Sequence, residues 1–392
     1  MTERERILAA IRGEIPDRMP WVPRLEFWYR ARLRNGNMPH ELRGLSLNEV
    51  AERLGVGCYA SVPDFTQREE DTDMLDRGLG IFNLPVLCYR AVLDGVDRRI
   101  TRSGREVITE YRTPAGSLRV AEVLTEEMLD GGTSISWVTG HAIRQPGDFD
   151  AAAWLFSHIK VEPRPDGYES RRRATGDRGV AVAYVIGTAC PVHHIMKELM
   201  PVEQFFYAQH DYPEKIERLA EAMEPYYASM KQLAAESSAE VVLLGGNYDD
   251  SITYPRFFEN YILPPLKEYA EALHARGKFL MTHTDGENRR LIPLYLRAGF
   301  DIADSLCPAP MTRMALEEIR TAFEDRITIW GGVPSVLLCP DSAGDAQFRR
   351  WIDDLVERYG HQSRFVLGVS DMVTADCAWD RLAYITGRIE SL

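Results

Sequence analysis

Residues 278–286 read KFLMTHTDG, a short apolar run that passes directly into His283, Asp285 and Gly286. A continuous apolar segment bounded by turn signals is the pattern of a strand covered on both faces. Polar side chains at the carboxyl end of such a strand are where an α/β barrel keeps its chemistry. The stretch therefore predicts a buried parallel strand and, at its end, the mouth of a site.

The same grammar extends outward. From about residue 178 the chain alternates strand, loop and helix, with apolar strands at VAVAYVIG (180–187), EVVLLGG (240–246), FDIADSL (300–306), ITIWGGV (327–333) and RFVLGVS (364–370). Amphipathic patterns such as PEKIERLAEAMEPYYASMKQLAAES (213–237) lie between most of them. Alternation of this kind predicts a parallel sheet with helices on both faces. With one or two strands near the N-terminus, it closes as an α/β (β/α)8 TIM-type barrel. An open doubly wound sheet is the alternative, but no strand opens into a Gly-x-Gly-x-x-Gly turn. Thr2 and Ser46 are placed to cap two early helices that Gly13 and Gly55 end.

Between residues 86 and 124 the period changes to two. Turn signals at Asp94-Gly95, Ser103-Gly104 and Ala115-Gly116 divide it into four strands, which predicts an antiparallel β meander. Such a meander cannot belong to a parallel wall. The expected organisation is a single barrel domain over 1–392 with 86–124 inserted in it.

A formal net charge of -13 argues against nucleic acid as partner, because phosphate backbones are held by clustered Lys and Arg. No apolar run approaches the ~18–20 residues of a membrane span. Six cysteines without a Cys-x-x-Cys pair suit a reducing compartment. The N-terminal stretch reads as an amphipathic helix and no signal peptide. A cytoplasmic location follows as the expectation, with a small-molecule substrate and a homodimer as a candidate assembly.

If the barrel is right, the polar residues that follow each strand converge on one mouth. They are Arg24 and Glu26 after the first strand, Asn247, Asp249 and Asp250 after 240–246, His283 and Asp285, Asp304, and Ser370 with Asp371. His283, Asp285 and Asp371 would form a candidate site for a divalent metal, Zn2+ among the ions considered, because two carboxylates and a neutral imidazole balance its charge and leave an open position. The competing reading is an ordinary turn in which Asp285 caps a helix near Gly286. Asp249 and Asp250 are catalytic candidates that could equally be caps. Trp28 and Trp330 are candidate walls of a flat apolar pocket, against the alternative that they are core. Cys190, His193 and His194 suit a helix start better than a metal site.

The segments TERERILAAIRGEIPDRMPW (2–21), PPLKEYAEALHARGKFLMTHTDGENRRLIPLYLRAGFDIAD (264–304), ITIWGGVPS (327–335) and RFVLGVSD (364–371) together resemble the uroporphyrinogen decarboxylase superfamily. The resemblance implies a (β/α)8 barrel and either of two activities, decarboxylation of a porphyrinogen or cobalamin-linked methyl transfer. True decarboxylases carry an MRQAGR-type motif after the first strand and a His-Gly near the last. This chain has PRLEFWYR (23–30) and Ser370-Asp371, which keeps Arg24 but places Trp28 where a second arginine falls. Methylcobalamin-linked relatives show His-x-Cys-Gly and a further cysteine after the last strand, and bind zinc. Both thiolates correspond to aspartates here, Asp285 and Asp371, a harder ligand set.

The resemblance thus implies a methyltransferase that passes a methyl group between a small methylated, for example methoxylated aromatic, substrate and a corrinoid. The corrinoid would come from a partner protein, since the chain lacks an Asp-x-His-x-x-Gly cobalamin motif. His283, Asp285 and Asp371 would hold a metal, or crowding of the two carboxyls would raise one pKa and make it an acid. Asp249 or Asp250 would orient the substrate, with Arg24, Glu26, Trp28 and Trp330 binding it. The alternatives are a cofactor-independent decarboxylase of uroporphyrinogen or a related carboxylated ring, and a non-catalytic barrel that binds a tetrapyrrole or corrinoid.

Overall fold

In the computed structural model of the protein, residues 1–68, 70 and 73–392 are described. Twelve strands follow in chain order: β1 (Tyr89–Leu93), β2 (Asp97–Ser103), β3 (Glu106–Thr113), β4 (Gly116–Val123), β5 (Trp137–Gly140), β6 (Ile159–Pro163), β7 (Ala183–Ile186), β8 (Val241–Gly246), β9 (Phe279–His283), β10 (Ile302–Leu306), β11 (Thr328–Val333) and β12 (Phe365–Val369).

The six strands β7 to β12 form one parallel sheet in sequential order. Five of them are buried at every residue, and the same is true of all but the first residue of β9. Valine, isoleucine and leucine recur along these strands, as expected where both faces of a parallel sheet are covered. Each crossover carries helix, including Pro213–Glu236 before β8, Leu263–His274 before β9 and Asp345–Tyr359 before β12.

Two irregular N-terminal segments sit at the edges of this sheet. Trp21 bridges Leu367 of β12 in parallel. The Gly57 amide then donates to Trp21 O at 2.8 Å, and the Val182 amide, just before β7, donates to Ala60 O at 3.0 Å. A series of backbone hydrogen bonds therefore leads from β12 back to β7. The first strand expected near the N-terminus is reduced to this single bridge, because Pro20 and Pro23 offer no amide to a ladder.

The helix signals are met where they were read. Thr2 and Ser46 each close a capping box, on Glu5 and Glu49, and Gly13 and Gly55 end their helices in the left-handed region at φ 83° and 73°. That region favours glycine because it has no Cβ to clash.

The antiparallel sheet differs from the expected meander. Its order is β2-β3-β4-β5, and β1 lies apart, paired antiparallel with β6. The Asp94-Gly95 turn thus separates two sheets. Pairing with β6 places the fully or half-buried residues of β1 on the core, whereas β2 is almost wholly exposed. No helix among the described residues is long and apolar enough to cross a membrane.

Candidate active site

His283 ends β9 and Asp304 lies on β10, and the two are register partners in the parallel ladder. Register partners present their side chains to the same face at the same level. His283 Nδ1 accordingly meets Asp304 Oδ2 at 2.7 Å. Asp304 is completely buried, and its carboxylate also accepts from the Tyr59 hydroxyl at 3.1 Å. Gly246 on β8 lets His283 take this position, because a Cβ there would stand 2.7 Å from His283 Cβ.

The other ring nitrogen, Nε2, faces two carboxylates, Asp371 Oδ1 at 3.4 Å and Asp285 Oδ1 at 3.7 Å. Asp371 follows β12 and also accepts from Arg24 Nη1 at 3.2 Å. Asn247, in the left-handed region at φ 58°, donates its Nδ2 to both oxygens of Asp285 at 2.9 Å. Lys197 in turn donates to Asn247 Oδ1. Lys197 lies in a π-helical turn, Ile195–Leu199, a feature that often marks functional positions.

Burial alone would lower the pKa of His283, but the charge of Asp285 and the hydrogen bonds of Asp304 and Asp371 outweigh it and raise it to about 10. Burial would raise Asp371, yet its bond to His283 and the charge of Arg24 hold it at about 2. At neutral pH the imidazole is therefore a cation beside an ionised Asp371. Of the two carboxyls expected to crowd one another until one becomes an acid, Asp371 is thus held ionised by opposite charges, and the proton resides on His283.

These groups open on a cavity of about 240 Å3 lined by Arg24, His283 and Asp371. Its apolar walls come from Phe27, Phe65, Phe82, Tyr184, Ile186 and Met372. Lys197 and an Arg77–Glu198 ion pair of 2.8 Å complete the polar side.

The remaining sequence candidates fall elsewhere. Trp28 is fully buried, stacks on Trp379 at 5.8 Å between centroids and donates to Cys377 O, so it is core and no pocket wall. Trp330 is likewise buried, edge-on to Tyr59 at 6.2 Å. Glu26 does not line the cavity; burial raises its pKa, and its Oε2 has no hydrogen-bond partner. Asp249 accepts from the Ser251 and Glu287 amides, and Asp250 from the Arg290 amide and guanidinium. Both carboxylates brace neighbouring loops and line a separate, charged cleft. Cys190 is the N-cap of a short helix, as its sequence suggests, with its sulfur accepting from the His193 amide.

The metal expectation meets a donor set of one nitrogen and two carboxylates. Asp371 is engaged by Arg24 and both oxygens of Asp285 by Asn247. No group of three or more His, Cys, Asp or Glu among the described residues is arranged to hold a metal ion. As arranged, the three side chains do not fit a resident metal; they form an ion-paired cluster.

Sequence comparison matches residues 182–390 to the family model "Uroporphyrinogen decarboxylase (URO-D)". The chain belongs to the URO-D family. The match contains β7 to β12 and so His283, Asp304 and Asp371, while Arg24 and Tyr59 lie outside it. No curated protein matches the chain. Among solved structures, a methyltransferase from Methanosarcina mazei is similar, with a TM-score of 0.54 and 13% sequence identity over 100% of this chain and 99% of that one. At that identity the likeness shows the fold alone.

Proposed function

We propose that this URO-D family member is a methyltransferase that demethylates a small O- or N-methylated molecule, with His283 as general acid. The observation that carries the reading is the imidazole of His283, braced by Asp304 on one nitrogen and facing Asp285 and Asp371 with the other, at the edge of an apolar cavity. Residues 1–392 are read as one domain, with the hydrogen bonds from β12 through Trp21, Gly57 and Ala60 to β7 closing it as a (β/α)8 barrel.

Breaking a methyl–oxygen bond leaves charge on oxygen, which a positioned acid neutralises. The Nε2 proton of His283 passes to the leaving heteroatom, and the imidazole remains anchored through Nδ1 to Asp304. A donor near 10 matches a phenolic leaving oxygen, whose own pKa is about 10. Phe27, Phe65 and Phe82 would hold a flat ring and exclude water. A corrinoid brought by a partner protein would supply the methyl-accepting nucleophile. The cavity of about 240 Å3, below the ~300–1,000 Å3 of common ligand pockets, favours a single-ring substrate over a tetrapyrrole, which weighs against uroporphyrinogen as substrate and against a bound tetrapyrrole. A cytoplasmic location accords with this reading.

The test is incubation with reduced cobalamin and a panel of methoxylated and N-methylated small molecules, followed spectroscopically as methylcobalamin forms. Transfer by the wild type that vanishes in His283→Gln supports the reading. Carbon dioxide release from a carboxylated ring with no methyl transfer from any donor would replace it by decarboxylation.

A further inference from the structure

Cys339 and Cys377 take no part in the cluster around His283, yet their sulfurs lie 3.8 Å apart. Thr374 Oγ1 contacts both, at 3.7 Å and 3.3 Å, and both thiols are within reach of Ser335 O, at 3.6 Å and 3.9 Å. Cys339 is half-buried at the end of a short turn and Cys377 is fully buried. We propose that this pair is a peroxide-sensitive dithiol whose closure to a disulfide draws on the loop that carries Asp371.

The chemistry balances with hydrogen peroxide as oxidant. The Cys339 sulfur attacks one peroxide oxygen, the O–O bond breaks, and a sulfenic acid and one water result. Cys377 then attacks the sulfenic sulfur, the S–S bond forms as the S–O bond breaks, and the departing hydroxide takes the Cys377 proton as a second water. The division of roles follows from access and charge. Cys339 is the more open, and the Cys377 thiol bonded to it lowers its pKa to about 6, so it holds the reactive thiolate. Cys377 is held high by that same interaction and by burial.

A disulfide requires the sulfurs to approach to about 2.05 Å. The segment that must yield is pinned at several points. Val373 N donates to Arg24 O at 3.0 Å, Cys377 O accepts from Trp28 Nε1 at 2.9 Å, and Ala378 N donates to Leu338 O at 2.9 Å. Movement of Thr374 and Cys377 toward Cys339 is thereby passed along five connected residues to Asp371 and the Arg24 backbone.

Peroxide titration of the intact protein, with non-reducing peptide mapping, tests this. The expected products are a Cys339–Cys377 cross-linked peptide, a loss of two free thiols reversed by dithiothreitol, and a changed His283 imidazole titration by NMR. In Cys377→Ser the Cys339 sulfenic acid should persist and be trapped by dimedone. Wild-type Cys339 passing to sulfinic acid without cross-linking, or Cys58 reacting first, would overturn the pair. An oxidised protein whose His283 titrates as in the reduced form would overturn the coupling to the site.

Discussion

Arg24 and Asp371, 347 residues apart in sequence, meet at 3.2 Å beside the imidazole of His283. The guanidinium secures the ionised form of Asp371, and Asp371 in turn secures the cationic form of His283.

Replacement His283→Gln removes the acid and should lower demethylation roughly 10²–10⁴-fold with substrate binding little changed. Single-turnover rates against substrate affinity check it. The same variant should alter the pH dependence of stability. His283 rises from an ordinary 6.5 to about 10 in the folded protein, so its contribution is complete below pH 6.5 and fades as pH climbs to 10. Chemical denaturation across that interval should show wild-type stability falling where His283→Gln stays flatter.

Asp371→Asn deletes one of the two charges that hold the Nε2 proton. The His283 titration should move below 10, and the alkaline limb of the pH–rate profile should move down with it. Asp371 itself is depressed from 3.8 to about 2, so its wild-type contribution is present above pH 3.8 and is lost as acid takes the protein through pH 2. Imidazole NMR and acid unfolding measure the two effects separately.

Tyr59→Phe removes one hydroxyl from Asp304 and leaves its contact with His283. A loss of about 0.5–1.5 kcal/mol in stability is expected, with a smaller effect on rate than Asp304→Asn, which disturbs the brace on Nδ1. Paired denaturation and turnover measurements would show whether the two variants separate in this order.

Chelation should leave transfer activity intact, because Asp285 and Asp371 are engaged by Asn247 and Arg24. Metal analysis of wild type, Asp285→Ala and Asp371→Ala checks it. A stoichiometric ion in the wild type, absent from both variants and required for turnover, would restore the metal reading.

Gly246→Ala would bring a methyl group to 2.7 Å from His283 Cβ. Overpacking of this kind destabilises by typically ~1–3 kcal/mol, and here it should also displace the imidazole. The expected signature is a fall in rate greater than the fall in stability would explain, measured well below the melting temperature.

Much of the fold was legible because its signals are local. Runs of Val, Ile and Leu marked β7 to β12, and Thr2 with Gly13 or Ser46 with Gly55 marked the bounds of two early helices. The partner of β1 was not legible, since β6 lies beyond the whole antiparallel sheet and nothing in either strand names the other. Trp28 and Phe27 show the limit at the site. Neighbours on a helix point about 100° apart, so one is stacked on Trp379 and the other lines the cavity. Sequence alone could not phase that turn. Asp304 was visible as a polar residue in a strand, and its register with His283 gave it meaning; Tyr59, in an irregular segment, carried no signal. Asp249 and Asp250 looked like site carboxylates because composition does not reveal that a side chain has turned back onto nearby amides.

The bond between Arg24 and Asp371 has a further consequence for how the protein comes into being. Arg24 leaves the ribosome 347 residues before the carboxylate that meets it. A nascent chain thus carries His283 and Asp304 for some time without their final electrostatic setting, and the imidazole acquires its full basicity only when β12 docks and brings Asp371 to it.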